Sequence, residues 1–153
     1  MTVFDCCMFL NENDLYEIRL NEHWDFVDKF IVVEAGETHT GLKKPLNFDH
    51  KRFEKYKEKI HYVTFDNFQE EMRKHPELLD RDALQDRGPN VASEDYSRDH
   101  FQANYFNVAL EQLGADNHDI VYVSCLDEII KKEAFEESLK RFEDKTTLYN
   151  GVR

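Results

Sequence analysis

Short apolar runs alternate with helical patterns along this chain, and that alternation is the feature that most restricts its fold. The runs lie near residues 3–10, 30–33, 62–65 and 120–123. Each is almost continuously hydrophobic, which is typical of strands that are buried on both faces of a parallel sheet. The sequence therefore predicts an α/β fold with a mainly parallel sheet and helices on both faces.

Helical periodicity fills the intervals between these runs. The pattern predicts a first helix from about residue 14 to residue 23, with Leu15 and Ile18 on its apolar face and charged residues opposite. Further helices are predicted over residues 49–59, 97–113 and 129–142, with a short one near 69–74. Gly114 is expected to end the clearest of them.

Two segments do not fit the alternation. Residues 35–47 contain Gly36, Gly41 and Pro45, which indicates a loop of functional length. Residues 66–95 are polar and charged, and we expect a variable charged insertion there. With 153 residues the chain is expected to form a single domain.

The charge balance restricts the ligands that the protein can bind. Its formal net charge of −12 argues against sequence-independent binding to nucleic acid, which requires a basic surface. A phosphate ester would need a metal ion or a few well-placed basic groups.

No signal peptide or apolar stretch of transmembrane length is present in the sequence, so we expect no membrane span and a cytoplasmic location. Reduced thiols are expected at Cys6, Cys7 and Cys125, the first two on opposite faces of a strand.

Polar residues follow three of the predicted strands, at the edge where parallel sheets bind ligands. They are Asn11 and Glu12, Glu34, and the pair Asp127 and Glu128. Paired carboxylates after a strand suit Mg²⁺ or Mn²⁺, because these ions prefer hard oxygen ligands. The same residues also suit a turn and a helix N-terminus, and the spacing leaves both interpretations open.

The helix predicted over 97–113 carries Arg98 and Gln102 near the middle of its apolar arc. Buried polar groups are costly without partners. The first turn of this helix is expected at the ligand edge, where both side chains would lie beside Asp127. They could bind a ligand there, or they could pair with a structural carboxylate and a loop carbonyl.

Several segments together resemble glycosyltransferase family 17. Residues 5–22 are similar to the opening signature of that family, and residues 30–35, 40–48, 98–102 and 120–129 are similar to later blocks in the same order. The resemblance implies a GT-A-like, Rossmann-like fold. It also implies transfer of N-acetylglucosamine from UDP-N-acetylglucosamine to a glycan acceptor, with inversion and normally with a divalent metal, Mn²⁺ or Mg²⁺.

The resemblance also implies roles for individual residues, with Asp127 as the principal metal ligand. The implied donor-binding residues are Asn11, Glu12, Glu34, Lys44, Arg98, Gln102, Asp127 and Glu128. Cys125 stands where the family pattern has the first aspartate, and a thiol is a poor ligand for Mg²⁺ or Mn²⁺.

No residue of the sequence suits the role of catalytic base. We therefore expect the chain to correspond to the N-terminal, nucleotide-sugar-binding half of the family fold, with the base supplied from outside it. A catalytically impaired or truncated binding module of the same fold is the alternative. Another α/β nucleotide-dependent enzyme, such as a methyltransferase, would need a glycine-rich first turn, and residues 11–14 contain no glycine.

Overall fold

The computed structural model describes residues 1–79 and 94–143, without the side chains of 94–96 and 141–143. Its strands are β1 (Val3–Phe9), β2 (Lys29–Ala35), β3 (Ile60–Phe65) and β4 (Ile120–Val123). They form one sheet in the order β3-β2-β1-β4, and every neighbouring pair is parallel. The predicted parallel α/β fold is confirmed.

Helices connect the strands and cover both faces of the sheet. They are α1 (Asn13–His23), α2 (Phe68–Lys74), α3 (Glu94–Asn104), α4 (Phe106–Gln112) and α5 (Lys132–Glu143), with 3-10 turns at Glu54–Tyr56 and Pro76–Leu78. No helix within residues 1–79 and 94–143 is long and apolar enough to cross a bilayer.

The core lies in two layers, one on each face of the sheet. Cys7 and Phe9 of β1 pack on the face covered by α1 and α5, whereas Cys6 packs on the face covered by α2, α3 and α4. Adjacent strand residues point to opposite faces, so the prediction for the two cysteines is confirmed. Both layers are rich in aromatic side chains, including Phe48, which stacks on Tyr62.

The helix predicted over residues 49–59 is wrong. Only Glu54–Tyr56 forms a 3-10 turn there, with Tyr56 N donating to Phe53 O at 2.9 Å. Phe53 and Tyr56 are nevertheless buried in the core. Their spacing of three residues therefore matches the i→i+3 bonding of a 3-10 turn, and the apolar pattern did not require a full helix.

The helix predicted over residues 97–113 is two helices, α3 and α4, with Tyr105 between them. The amide of Tyr105 donates to both Phe101 O and Gln102 O, and its hydroxyl donates to Glu71 Oε1 of α2 at 2.8 Å. The second helix ends just before Gly114, which has a φ of +70°. The glycine stop is therefore confirmed.

The apolar face predicted for α1 is confirmed for Leu15, which packs against the core, and wrong for Ile18. Ile18 is 52% exposed, and the residues that α1 buries are Tyr16, Arg19, Leu20 and His23. These four follow a helical spacing, but half of them are polar. Arg19 and His23 face inward because Asp5 of β1 offers them a buried carboxylate.

The last strand and the charged segment differ from the expectations as well. β4 is an edge strand, with Val121 and Val123 41% and 52% exposed, so it is not buried on both faces. Within residues 66–79 the short helix predicted near 69–74 is confirmed as α2, and Phe68 and Leu78 join the core. Residues 80–93 of the expected insertion lie outside the described residues.

Candidate functional site

A cleft of about 550 Å³ opens at the carboxyl edge of the sheet, within the size range of small-molecule sites. It lies beside the ends of β1 and β2 and the segment that follows β4. Its walls combine apolar side chains such as Phe9 and Leu126 with polar ones. The polar side chains include Glu12, Glu37, His39, Lys44, Gln102, Cys125 and Asp127.

The structure places four of the eight site residues predicted from the sequence in the lining of this cleft. Glu12, Lys44, Gln102 and Asp127 line it. Arg98 lies beside it, where its Nη1 donates to the backbone oxygen of His39 at 2.9 Å. The expected grouping of Asp127 with Gln102 is therefore present, with Arg98 acting on the loop that forms the cleft wall.

Glu34 lies at the end of β2 and is completely buried. Its carboxylate accepts hydrogen bonds from Lys44 Nζ at 2.6 Å, the amides of Asn47 and Phe48, and the Tyr62 hydroxyl at 2.7 Å. Burial and this hydrogen bond raise the pKa of Tyr62. Glu34 and Lys44 thus hold the loop after β2 against the sheet, and the Lys44 ammonium is engaged by Glu34.

Residues 36–44 form a small hairpin over the cleft. Glu37 and Lys43 form an antiparallel bridge, and Gly41 sits in the turn with a φ of +83°. A Cβ at Gly41 would lie 3.1 Å from Nη2 of Arg98. The guanidinium therefore packs directly on the turn, which requires both the backbone angle and the small size of glycine.

His39 and Gln102 are joined at the cleft wall. Gln102 Nε2 donates to Val33 O at 2.9 Å, so its Oε1 is the acceptor that faces His39 Nε2 at 2.8 Å. His39 must therefore carry a hydrogen on Nε2. Its Nδ1 lies 3.7 Å from Asp99 Oδ1. His39 is a polar group at the cleft that the sequence analysis missed, because it lies in a loop without periodicity.

The carboxylates at the two strand exits have different environments. Glu12 Oε2 accepts from the amides of Leu10 and Asn11 at 2.9 Å, so it caps the turn after β1, while the Asn11 side chain is exposed. Glu128 Oε2 accepts from the amide of Cys125 at 2.8 Å. Asp127 is exposed to the cleft. Of the pair predicted after β4, Asp127 is the carboxylate that faces the cleft, and Glu128 stabilises its turn.

A buried group of charged residues lies beneath the segment 124–130. Arg19 and Asp5, 0% and 1% exposed, form an ion pair of 2.5 Å. Arg19 also donates to oxygen atoms of that segment, which belong to Ser124, Cys125, Leu126 and Glu128. A fully buried guanidinium is thus satisfied by one carboxylate and by the backbone that carries Asp127.

His23 completes this group. Its Nδ1 lies 2.7 Å from Asp5 Oδ2, and its Nε2 lies 3.0 Å from Ile130 O. Burial alone would raise the pKa of Asp5, but the hydrogen bonds and charges of His23 and Arg19 outweigh it and lower that pKa. Asp5 is therefore an ionised acceptor, and each ring nitrogen of His23 lies within hydrogen-bonding distance of an oxygen atom.

The sequence contains a signal for this group that the periodicity analysis did not use. Asp5 is the one charge in an otherwise apolar strand, and such a charge needs a buried partner. Arg19 and His23 lie four residues apart, on one face of the following helix. Together these features would have placed the three residues in contact.

The side chains at the cleft could hold a divalent metal only together with a ligand that supplies further oxygen atoms. Within residues 1–79 and 94–143, no three His, Cys, Asp or Glu side chains converge as a metal site. Mg²⁺ is often held by one or two carboxylates together with substrate phosphates. The exposed carboxylate of Asp127 fits that mode of binding, which needs a phosphate ligand to complete the coordination.

Comparison with known proteins agrees with this architecture. The family model described as Glycosyltransferase family 17 matches residues 1–147. Neither the curated proteins nor the solved structures give a match to this chain. The family match covers nearly the whole chain, including all four strands and every residue of the cleft. The chain belongs to glycosyltransferase family 17.

Proposed function

We propose that the cleft binds UDP-N-acetylglucosamine and that the sugar is transferred to a glycan acceptor with inversion at the anomeric carbon. The observation that carries this proposal is the placement of Asp127 and Gln102 in one cleft at the carboxyl edge of a parallel sheet. Nucleotides bind at this edge in open α/β folds. Membership of a glycosyltransferase family supports a sugar donor and a glycan acceptor.

We further propose that Asp127 binds a divalent ion, Mn²⁺ or Mg²⁺, together with the diphosphate of the donor. The cleft is lined by the carboxylates of Glu12, Glu37 and Asp127, and its lysine is engaged by Glu34. A dianionic diphosphate would be repelled by these groups without a cation. The ion would act as a Lewis acid that offsets charge on the departing nucleoside diphosphate.

The catalytic base is expected outside this cleft. Glu12 caps the turn after β1, and Glu37 accepts from Asn67 Nδ2 and from the amide of Phe68, both at 3.1 Å. Asp127 is assigned to the metal. Inverting transfer needs a carboxylate that removes the proton of the acceptor hydroxyl. The cleft therefore supplies donor binding, and another part of the enzyme supplies the base.

A nucleotide-sugar-binding module without turnover is the second candidate. Cys125 favours it, because the position that could provide a second oxygen ligand next to Asp127 carries a thiol at the cleft. One carboxylate binds a metal more weakly than two. Such a module would still bind UDP but would not release UDP from the sugar donor.

Isothermal titration of UDP with and without Mn²⁺ tests the proposal. We expect binding that Mn²⁺ strengthens, and we expect Asp127→Ala to abolish the contribution of the metal. Asp25→Ala serves as the matched control, because Asp25 is an exposed aspartate between α1 and β2, at the opposite edge of the sheet. Absence of UDP binding with and without metal would contradict both candidate functions.

Two further measurements separate the candidates and identify the donor. Release of UDP from UDP-N-acetylglucosamine supports the enzyme, whereas binding without release supports the module. Competition between UDP-N-acetylglucosamine and UDP-glucose tests whether the site recognises the N-acetyl group of the donor. Equal affinity for the two would contradict the proposed donor while leaving the nucleotide site intact.

A further inference from the structure

We propose that Asp5, Arg19 and His23 are positioning residues for glycosyl transfer. They hold the backbone of segment 124–130 in the conformation that presents Asp127 to the cleft. This inference rests on the proposed donor site, because it assigns Asp127 a role in binding. It adds three residues that do not line the cleft and that act through the backbone on either side of Asp127.

The contacts of Arg19 fall on both sides of Asp127. Its Nη1 donates to Cys125 O at 2.8 Å, with longer contacts to Leu126 O at 3.3 Å and Glu128 O at 3.4 Å. Its Nη2 donates to Ser124 Oγ at 2.7 Å. A planar guanidinium offers five N–H donors in a fixed arrangement, so these oxygens cannot move independently.

His23 fixes the far end of the same segment. Its Nε2 lies 3.0 Å from Ile130 O, while its Nδ1 lies 2.7 Å from Asp5 Oδ2. The segment lies between β4 and α5 and has few backbone hydrogen bonds of its own, such as Glu128 N to Cys125 O at 3.0 Å. Its inward carbonyl oxygens would be unsatisfied without side-chain donors. The buried group therefore determines the path of this backbone.

Stability alone is a poor explanation for this arrangement. Buried ion pairs can often be replaced by hydrophobic residues with little loss of stability, because the ions must be removed from water. Apolar side chains at these positions could fill the space between β1 and α1, but they could not donate to the carbonyl oxygens of 124–130. A role in positioning the backbone explains why side chains with hydrogen-bond donors occupy these positions, whereas a role in packing alone does not.

Arg19→Lys tests the proposal, since lysine retains the charge opposite Asp5 and loses the planar set of donors. We expect hydrogen exchange of the amides of Glu128 and Ile129 to become about tenfold faster, because hydrogen bonds to the charged group are lost. Arg52→Lys is the matched control, because Arg52 pairs with Asp14 and Glu17 away from the segment. Unchanged exchange in Arg19→Lys would overturn the proposal.

Ser124 provides a second test that does not disturb the buried ion pair. Ser124→Ala removes one acceptor of Arg19, and Ser124→Thr keeps the hydroxyl. We expect Ser124→Ala to weaken the Mn²⁺-dependent part of UDP binding several-fold while metal-free binding is kept, and Ser124→Thr to restore it. A parallel loss of both kinds of binding, or no rescue by threonine, would overturn the positioning role.

The two tests distinguish failure of this inference from failure of the proposed function. If the unaltered protein does not bind UDP, the donor site is wrong, whereas the hydrogen exchange of segment 124–130 still reports whether Arg19 holds it. If UDP and Mn²⁺ bind but neither Arg19→Lys nor Ser124→Ala alters exchange or metal dependence, the donor site stands and the positioning role is wrong.

Discussion

The imidazole of His23 donates to the carboxylate of Asp5 over 2.7 Å, and both side chains are buried between the first helix and the central sheet. The opposite ring nitrogen lies 3.0 Å from Ile130 O, more than a hundred residues along the chain. A single buried side chain thus links the first strand to the segment that carries the candidate metal ligand. The predictions below follow from this arrangement and from the cleft above it.

Asp5→Asn should destabilise the protein by about 3–5 kcal/mol near neutral pH, because the guanidinium of Arg19 would remain buried without its anion. The lowered pKa of Asp5 means that its contribution is complete above the ordinary value of 3.8. It is lost as the pH falls from there through the lower pKa of the folded state. Urea denaturation across this range should show the difference from the unaltered protein shrinking in acid.

Asp14→Asn is the control for that experiment. Asp14 is 92% exposed and pairs with Arg52 at the surface, so its loss should change the free energy of unfolding by less than about 1 kcal/mol. Equal effects of the two substitutions would show that the buried ion pair has no special role in stability.

Cys125→Asp should strengthen Mn²⁺ binding about tenfold, because it adds a hard oxygen ligand two residues before Asp127. Calorimetry with Mn²⁺ in the presence of UDP measures this change. Cys125→Ser is the matched control, since it keeps the size of the side chain without adding charge. An unchanged affinity in Cys125→Asp would mean that the side chain at position 125 does not reach the metal.

Alkylation should modify one cysteine in the native protein and three after denaturation. Burial raises the pKa of Cys7 to about 12, and burial also raises that of Cys6, so neither forms a thiolate readily. Cys125 is exposed, but partial burial and then the charges of Glu128 and Asp127 raise its pKa. Its labelling should therefore be slow near neutral pH and faster in alkali.

Mass spectrometry of the labelled protein identifies which of the three cysteines has reacted. Cys125→Ser should leave the native protein unlabelled, and UDP with Mn²⁺ should protect Cys125 in the unaltered protein. Rapid native labelling of Cys6 or Cys7 would contradict the burial of β1.

Glu34→Gln should release the loop after β2, because a neutral amide cannot replace the anion that Lys44 and two backbone amides share. Breaking a buried pair of this kind costs about 3 kcal/mol or more. Limited proteolysis within residues 36–48 and urea denaturation measure the change. Glu70→Gln, at an exposed pair with Lys74, should leave both measurements unaltered.

The sequence alone was sufficient for the features that depend on local pattern. Continuous apolar runs predicted all four strands. For β1 and β2 the reason is that a strand between two layers of helices must be hydrophobic on both faces. The alternation of side chains along a strand placed Cys6 and Cys7 in opposite layers. Polar residues at strand exits led to the cleft, since parallel strands bring their carboxyl ends to one edge.

Tertiary structure decided which polar residues are buried and what they contact. The apolar periodicity of α1 by itself gave no reason to bury Arg19 rather than Ile18. Arg19 is buried because it contacts the carboxylate of Asp5, which lies on β1. Hydrophobic periodicity describes how each segment meets an apolar layer, whereas hydrogen bonds between charged side chains and distant backbone depend on where the folded chain brings them together.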